Sequence, residues 1–129
     1  MSFDRGVLGF LAVFVLLGGV GSLVSPESLA EQAGWSATPA GLTEIRAFYG
    51  GVQIGLGCFL AWCVRTRKWT LPGLFVAGFA VGGIGLARAI GLLVDQEATT
   101  YHLVNLAIEF ATVVLVAVAV SRHRQHGGE

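Results

Sequence analysis

The sequence predicts an all-α integral membrane protein in which four transmembrane helices form one bundle. The first observation is composition: 54% of the 129 residues are hydrophobic, 12% are charged, and the mean hydropathy is +0.73. A soluble domain carries about a quarter charged residues, so this chain has too little polar surface for a water-exposed globule. The second observation is four apolar runs, each about the 20 residues that cross ~30 Å of hydrocarbon as a helix. The third is that basic residues alternate between connections.

The first span is predicted over residues 6–24, "GVLGFLAVFVLLGGVGSLV", which contains no charge. A cleaved signal peptide is the alternative interpretation of this run. The run is longer than the usual apolar region of a signal peptide, however, and no clear A-x-A-type cleavage site follows it. The next connection contains "SPESLAEQAGW", in which Ser25 suits a helix cap, Pro26 a helix start and Gly34 a helix stop. This pattern predicts a short amphipathic surface helix in the first outer loop.

Each of the other three spans begins near residues typical of helix starts. These are Thr38-Pro39, Thr70-Leu71-Pro72 and Thr99-Thr100. Lipid requires each spanning segment to satisfy its own backbone hydrogen bonds, which a helix does. The chain is therefore predicted to be a single transmembrane domain, residues 1–129, with the later spans at residues 44–64, 71–94 and 100–120.

Basic residues predict the orientation of the four spans. Arg5 precedes the first span, residues 65–69 (RTRKW) join the second to the third, and residues 121–126 (SRHRQH) follow the fourth. The opposite connections, residues 25–43 and 95–97, contain no Lys or Arg. The positive-inside rule therefore predicts that both termini lie in the cytoplasm.

Spans two, three and four each carry a stripe of polar side chains, whereas span one carries none. Residues three, four or seven apart share one face of an α-helix. Counted from the outer ends of their helices, Gln53, Arg88 and Glu109 all lie roughly 10–14 Å inside the boundary. They therefore share one depth near the bilayer centre, above apolar cytoplasmic halves. The stripes are Arg46, Tyr49 and Gln53 on span two, Arg88 and Asp95 on span three, and His102, Asn105, Glu109 and Thr112 on span four.

These stripes predict a polar pocket that opens to the outer side of the membrane. A lone charge at the bilayer centre is costly, so we expect Arg88 to pair with Glu109 at matched depth. Arg88 with Asp95 is the alternative pair, and Arg46 is expected to pair with Asp95 or Glu44. The candidate ligand-binding residues are Arg46, Tyr49, Gln53, Arg88, His102, Asn105 and Glu109, with Glu44 and Asp95 at the rim.

The same residues have a purely structural interpretation. Polar side chains also hold transmembrane helices together, each contributing ~0.6 kcal/mol on average. Ionisable groups inside a span nevertheless indicate a functional site by default, and about eight polar residues on three faces exceed what one interhelical contact requires. The glycine pairs Gly51/Gly55 and Gly78/Gly82 follow a small-xxx-small pattern. That pattern predicts close packing of helices, either within one chain or between the chains of a homo-oligomer.

Several function classes find no support in the sequence. Eight basic and eight acidic residues give a net charge of zero, whereas nucleic-acid binding needs a basic surface. No P-loop, dinucleotide fingerprint, HExxH motif or nucleophile elbow occurs, so we predict no cofactor and assign no catalytic residue. His102 with Glu109 is too sparse for a metal site. His123 and His126 are expected to be solvated in a charged tail.

Three segments carry a family resemblance: "EIRAFYGG" at residues 44–51, "GLARAIGLLVD" at residues 85–95, and a glutamate within span four. Together they resemble a family of small bacterial four-helix membrane proteins known only as a domain of unknown function. The resemblance covers nearly the whole chain. It implies four spans in a bacterial inner (cytoplasmic) membrane and implies no activity. The positions matched to its pattern are Glu44, Arg46, Tyr49, Gly50, Gly51, Arg88 and Glu109.

The function predicted from the residues is binding of a small amphipathic or lipid-like molecule that enters from the outer leaflet. Arg88 would hold an anionic group, and Glu109 and His102 would move protons. One alternative is an accessory or structural subunit whose polar faces only hold helices or partners together. The other is a small transporter. Two features count against it: span one contains no carboxylate, and the polar residues of the other spans end at mid-membrane. The expected partners are thus the lipid bilayer and an amphipathic ligand.

Overall fold

The computed structural model describes residues 2–126, without the side chain of His126. Its regular structure in these residues is helical, and its long helices are α1 (Phe3–Val24), α4 (Val52–Arg65), α5 (Thr70–Asp95) and α6 (Thr100–His126). Two short helices, α2 (Pro26–Ala33) and α3 (Pro39–Glu44), lie between α1 and α4, and a π-helical segment, Ile45–Gly51, joins α3 to α4. A 3-10 turn, Arg67–Trp69, precedes α5.

Four helical stretches are long and apolar enough to cross a membrane, which confirms the predicted fold class. They are Phe3–Val24, Pro39–Arg65, Arg67–Asp95 and Thr100–Gln125. The second stretch is α3, the π-helical segment and α4 in succession. Large apolar side chains project outward from these helices, including Phe10, Leu17, Phe79, Leu93 and Phe110. Such an apolar exterior matches a lipid environment and does not match water. The chain is therefore a membrane protein.

The long helices associate as two antiparallel pairs, and glycine allows the close approach in both. In the first pair, α1 packs against α4: an added Cβ at Gly19 would lie 2.9 Å from the Ile54 backbone nitrogen, and one at Gly57 would lie 2.5 Å from Leu16 Cγ. Any larger residue at either position would force α1 and α4 apart. Glycine is thus required here by the short interhelical distance, as the small-residue rule for membrane helices predicts.

In the second pair, α5 packs against α6. An added Cβ would lie 3.0 Å from Val116 Cγ1 at Gly78 and 3.6 Å from Val113 Cγ2 at Gly82. The Gly78/Gly82 pattern therefore serves packing within the chain. Gly55 behaves differently, because no atom of a neighbouring element lies within 4 Å of its added Cβ, and at Gly51 the nearest atom is the carbonyl oxygen of Arg46 at 3.8 Å.

The two pairs meet at the end of the bundle where α1 begins and α6 ends, which we call the terminal end. The buried core there draws on all four long helices and includes Leu8, Leu60, Leu74 and Ala119. On α5 every buried residue lies between Thr70 and Ala77. The pairs are therefore joined at the terminal end. The opposite end, which carries α2 and the turn between α5 and α6, is called the distal end.

Polar contacts reinforce the terminal end. The Arg5 guanidinium donates two hydrogen bonds, of 3.1 and 2.7 Å, to the Val64 carbonyl in the last turn of α4. That carbonyl has no partner within its own helix, so Arg5 supplies one from α1. His123 pairs with Asp4, which is buried. The expectation that His123 is solvated is therefore wrong, because α6 continues past the predicted span and carries His123 back to α1. His126, expected to be solvated too, lies outside the described side chains.

The short helix α2 begins and ends where its sequence predicts. Pro26 is its first residue, and Gly34 follows it with φ 74°, the left-handed conformation that glycine adopts without steric cost. Ser25 stands at the N-cap position, although its side chain makes no capping hydrogen bond. Ala30 and Ala33 are buried and Glu27 and Glu31 are exposed, so α2 is amphipathic and lies against the distal end of the bundle.

Candidate functional site

A cavity of about 860 Å³ lies between the two helix pairs toward the distal end. All four long helices line it, together with α2 and the π-helical segment. Its inner end is apolar, formed by residues such as Leu11 and Leu56, and its polar groups lie nearer the distal end. The volume falls in the range of ~300–1,000 Å³ typical of small-molecule pockets.

The most polar point of the cavity is an ion pair between α5 and α6. Arg88 Nε donates to both carboxylate oxygens of Glu109, at 3.0 and 3.1 Å, and Arg88 Nη2 donates to Glu109 Oε1 at 2.8 Å. The side chains are 20% and 11% exposed, respectively. The pair expected from matched depth is therefore present, and its two-pronged geometry is the strongest form of arginine–carboxylate contact.

The position of Glu109 depends on a glycine of the neighbouring helix. An added Cβ at Gly85 would lie 3.3 Å from Glu109 Cβ and 3.4 Å from Glu109 Oε2. These distances are tighter than most contacts of real Cβ atoms. The absence of a side chain at Gly85 thus leaves room for the carboxylate between α5 and α6, where it meets the guanidinium.

Uncharged polar groups surround this pair. Gln53 and Tyr49 line the cavity from α4 and the π-helical segment, and Tyr101 and Asn105 line it from α6. Asn105 Nδ2 donates to the Tyr101 carbonyl at 2.8 Å, so its amide oxygen remains available. The amide of Gln53 and the hydroxyls of Tyr49 and Tyr101 make no hydrogen bond to any other residue between 2 and 126. The cavity therefore presents several uncharged donors and acceptors.

A second, smaller cavity of about 350 Å³ lies on the other side of Arg88. Asp95, Glu97 and His102 line it together with Arg88, and none of these three lines the large cavity. His102 shares a helix face with Asn105 and Glu109, as expected, because α6 is α-helical from Thr100. Its side chain nevertheless lines the small cavity, and its Nδ1 is 3.0 Å from the hydroxyl of the preceding Thr99. His102 therefore lies nearer the helix start than Asn105 and outside the large cavity.

Arg46 and Glu44 also lie outside the large cavity, contrary to the expected convergence. The prediction assumed an α-helix from Glu44 onward, with Arg46, Tyr49 and Gln53 on one face. Residues Ile45–Gly51 are instead π-helical, and the Val52 amide bonds to the Ala47 carbonyl five residues earlier. A π-helix has more residues per turn than an α-helix, so the three positions no longer align.

The π-helical segment directs Arg46 toward α2. Its Nη2 lies 3.6 Å from Glu27 Oε1 in an exposed ion pair, so neither Asp95 nor Glu44 is its partner. The ring of Tyr49 lies 5.4 Å from the ring of Trp35, just beyond α2. The segment "IRAFYGG" therefore performs two tasks: it attaches α2 to the bundle and places Tyr49 at the cavity.

Sequence reasoning missed contributions from three elements. Tyr101 was not among the candidate residues, yet it lines the cavity. Span one was described as presenting no polar stripe, yet Gly18 and Ser22 line the cavity from α1, and Ser28 and Gln32 do so from α2. The sequence "LLGGVGS" held a signal for α1, because a run of glycine and serine leaves one helix face open.

The family of this chain is established by a match to the family described as "Domain of unknown function (DUF4345)", over residues 3–120. The chain belongs to this family. No curated protein and no solved structure matches the sequence. The match agrees with the resemblance inferred from the residues to an uncharacterised family.

The DUF4345 match extends over every residue that lines either cavity. Residues 2–126 of this DUF4345 protein contain no group of three or more His, Cys, Asp or Glu that could hold a metal ion. A neutralised ion pair, tyrosine hydroxyls and side-chain amides can hold a polar group by hydrogen bonds. The adjoining apolar wall can accommodate a hydrocarbon portion.

Proposed function

We propose that this DUF4345 protein binds a small amphipathic or lipid-like molecule in the large cavity. The observation that carries the proposal is the combination of an 860 Å³ space with uncharged polar groups that lack partners among residues 2–126. Polar groups within a membrane are costly unless they are hydrogen-bonded. A ligand with a polar head and an apolar body would satisfy them and fill the space.

We propose further that the protein resides in a bacterial inner membrane with both termini in the cytoplasm. Support comes from the basic residues, since Arg5, the segment 65–69 and the segment 121–126 all belong to the terminal end. Under the positive-inside rule, that end faces the cytoplasm. The distal end, and with it the polar part of the cavity, would then face the outer half of the bilayer.

A reporter fusion tests the orientation. A reporter active only in the cytoplasm, fused after the last residue, should be active, and one inserted after Gly34, in the loop beyond α2, should be inactive. Activity at the second position with inactivity at the first would overturn the orientation.

Native mass spectrometry of protein extracted directly from its membrane tests ligand binding. We expect a bound small molecule on the wild-type chain and its loss from Gln53→Leu, which removes an unpaired amide and retains Arg88 and Glu109. Gln125→Leu is the matched control, because it makes the same chemical change on an exposed part of α6 away from both cavities. Identical spectra for wild type and Gln53→Leu, without any adduct, would contradict the proposal.

The accessory-subunit alternative also has a supporting observation. Arg88 and Glu109 already satisfy each other, as they would if their role were to hold α5 against α6. This alternative expects a partner protein to co-purify with the chain, and expects Gln53→Leu to leave that partner bound. The transporter alternative has less support, since the buried core shared by all four long helices lies across the cavity's inner end.

A further inference from the structure

We infer that the ligand of the large cavity carries an uncharged polar head, such as a hydroxyl, ester or carbonyl group, on an apolar body. This inference rests on the proposed function and adds the chemical class of the ligand. It reverses the expectation that Arg88 holds an anion. Three features of the described residues support it: the charge balance of the large cavity, the mutual neutralisation of its ion pair, and the acidic residues that line the small cavity.

The lining of the large cavity has no net charge. Among the residues that line the large cavity, Arg88 and Glu109 are the charged ones, and their charges cancel. Every other polar group on its wall is an amide or a hydroxyl, with Gln53, Tyr49 and Tyr101 lacking hydrogen-bond partners among residues 2–126. A ligand with a net charge would bring an unbalanced charge into a low-dielectric region, which is strongly unfavourable.

The mutual neutralisation of the ion pair removes the most obvious counter-charge. Both oxygens of Glu109 accept hydrogen bonds from Arg88, which donates them through Nε and Nη2. A charged head that paired with one member would compete with the other member for it. Separation of the two would leave a buried charge without its partner, which is typically more costly than the pair itself.

The surroundings of Arg88 disfavour an anion in particular. Arg88 also lines the small cavity, together with Asp95, Glu97 and His102. That cavity therefore adds two acidic side chains near the distal end of the site, against one histidine. We expect the order of affinity to be an uncharged head first, a cationic head second and an anionic head last.

Quenching of tryptophan fluorescence gives a direct measurement of this order. The chain has three tryptophans, and the Trp35 ring lies 5.4 Å from that of Tyr49 at the cavity. Trp62 and Trp69 lie next to each other, with their ring centroids 5.1 Å apart, around the turn between α4 and α5 at the terminal end. In a Trp62→Phe/Trp69→Phe background, Trp35 reports occupancy of the cavity.

Three probes with the same brominated acyl or alkyl chain would be added to this protein in phosphatidylcholine nanodiscs: a monoacylglycerol, an alkyl sulfate and a quaternary alkylammonium. The sulfate and quaternary ammonium heads keep their charges at all working pH values, so the charge of each probe does not change with pH. Gln53→Leu in the same background measures quenching from probe dissolved in the bilayer. We expect saturable quenching by the monoacylglycerol at a mole fraction at least about tenfold lower than either charged probe requires.

The outcomes separate the inference from the proposed function. A charged probe that saturates at or below the mole fraction of the monoacylglycerol, with sensitivity to Gln53→Leu, overturns the ligand class and leaves binding intact. Quenching that is linear for all three probes and unaffected by Gln53→Leu overturns both.

Variants that remove one charge of the pair sharpen the test. Glu109→Gln leaves the Arg88 guanidinium unpaired and should lower the saturating mole fraction of the sulfate probe about tenfold. Arg88→Gln leaves Glu109 unpaired and should do the same for the ammonium probe. A folded variant that shows no such change would contradict the inference that the neutralised pair disfavours charged heads. If either variant does not fold, the comparison of the three probes on the parent background decides.

Discussion

The two ends of the bundle contain the same kind of interaction in different settings. At the terminal end, His123 pairs with Asp4 beside a closed core that includes Leu8, Leu60 and Leu74. Toward the distal end, Arg88 pairs with Glu109 beside an 860 Å³ cavity. A polar side-chain pair between two helices therefore does not by itself mark a site in this protein. The distal end differs by its space and its unpaired uncharged groups.

The packing explains why the ends differ. Near the terminal end, an added Cβ at Gly73 would lie 2.9 Å from Cys63 Cβ and 3.1 Å from Leu8 Cδ2, so three helices meet closely there. Farther along α5 no described residue is buried, and Ala80 and Ile84 line the cavity instead. The two helix pairs are thus held together at one end, and the space between them is retained at the other.

The largest expected effect comes from removing half of the distal pair. Arg88→Leu should lower the free energy of unfolding by about 3–5 kcal/mol, because it leaves the Glu109 carboxylate buried without a partner. The double variant Arg88→Leu/Glu109→Met should be about as stable as wild type, since apolar residues of similar volume often replace a buried pair without loss. Denaturation in detergent micelles measures both. Equal stability of the single and double variants would show that the pair is not buried in the way described.

The next effect tests the core of the terminal end. Leu8 is completely buried, and Leu8→Ala should destabilise the bundle by about 3 kcal/mol through lost contacts and a residual cavity. Leu17→Ala on the same helix is the matched control, because Leu17 is 68% exposed and faces outward. The same denaturation measurement applies. A loss at position 17 as large as that at position 8 would contradict the assignment of the core.

A smaller effect separates the role of the His123–Asp4 pair from that of the Arg88–Glu109 pair. His123→Gln should cost about 1.5 kcal/mol, because it weakens a hydrogen bond to the buried Asp4 carboxylate. It should leave binding of the monoacylglycerol probe unchanged, since His123 lies at the other end of the bundle. Arg124→Gln, at an exposed position on α6, controls for the replacement of a basic side chain by glutamine in the same segment. A large change in probe binding for His123→Gln would show that the two ends are coupled.

The smallest effect compares two glycines on α5. Gly83→Ala should stabilise the bundle by up to about 1 kcal/mol, because alanine favours the helix and the new methyl meets open space. Gly85→Ala should gain less, since its methyl would lie 3.3–3.4 Å from Glu109 atoms, and it should weaken probe binding. Stability and quenching measurements on both variants check this. Identical behaviour of the two variants would contradict the described position of Glu109.

Much of the fold was predictable because a membrane restricts what the chain can do. Hydrocarbon excludes unpaired backbone groups, so four apolar runs imply four helices. The bounds of α2 followed from Pro26 and Gly34, whose backbone preferences act locally. The pairing of Arg88 with Glu109 followed from depth, because a charge at that depth needs a partner. In each case the deciding physics acts on the residue itself or on its immediate surroundings.

The site was less predictable. Arg46 was assigned to the cavity by α-helical spacing, and the π-helical segment changed that spacing. His102 was assigned by the same rule and does share the helix face of Glu109, but it lines the small cavity and not the large one. Tyr101, Ser22 and Gln32 contribute to the cavity because of how α6, α1 and α2 meet, and no local pattern in the sequence specifies that arrangement.

The sequence by itself determined that this is a four-helix membrane protein, where its helices begin, and that Arg88 needs a partner, for which Glu109 at matched depth was the first choice. Tertiary structure alone decided that the helices associate as two pairs, that those pairs join at the terminal end, and that a cavity remains between them. The physical reason is the range over which the deciding interactions act. Helix formation and charge neutralisation depend on composition and depth, which can be counted along the chain. The cavity depends on interhelical distances fixed by close contacts such as Gly19 on Ile54 and Gly57 on Leu16, which exist only after the helices have packed.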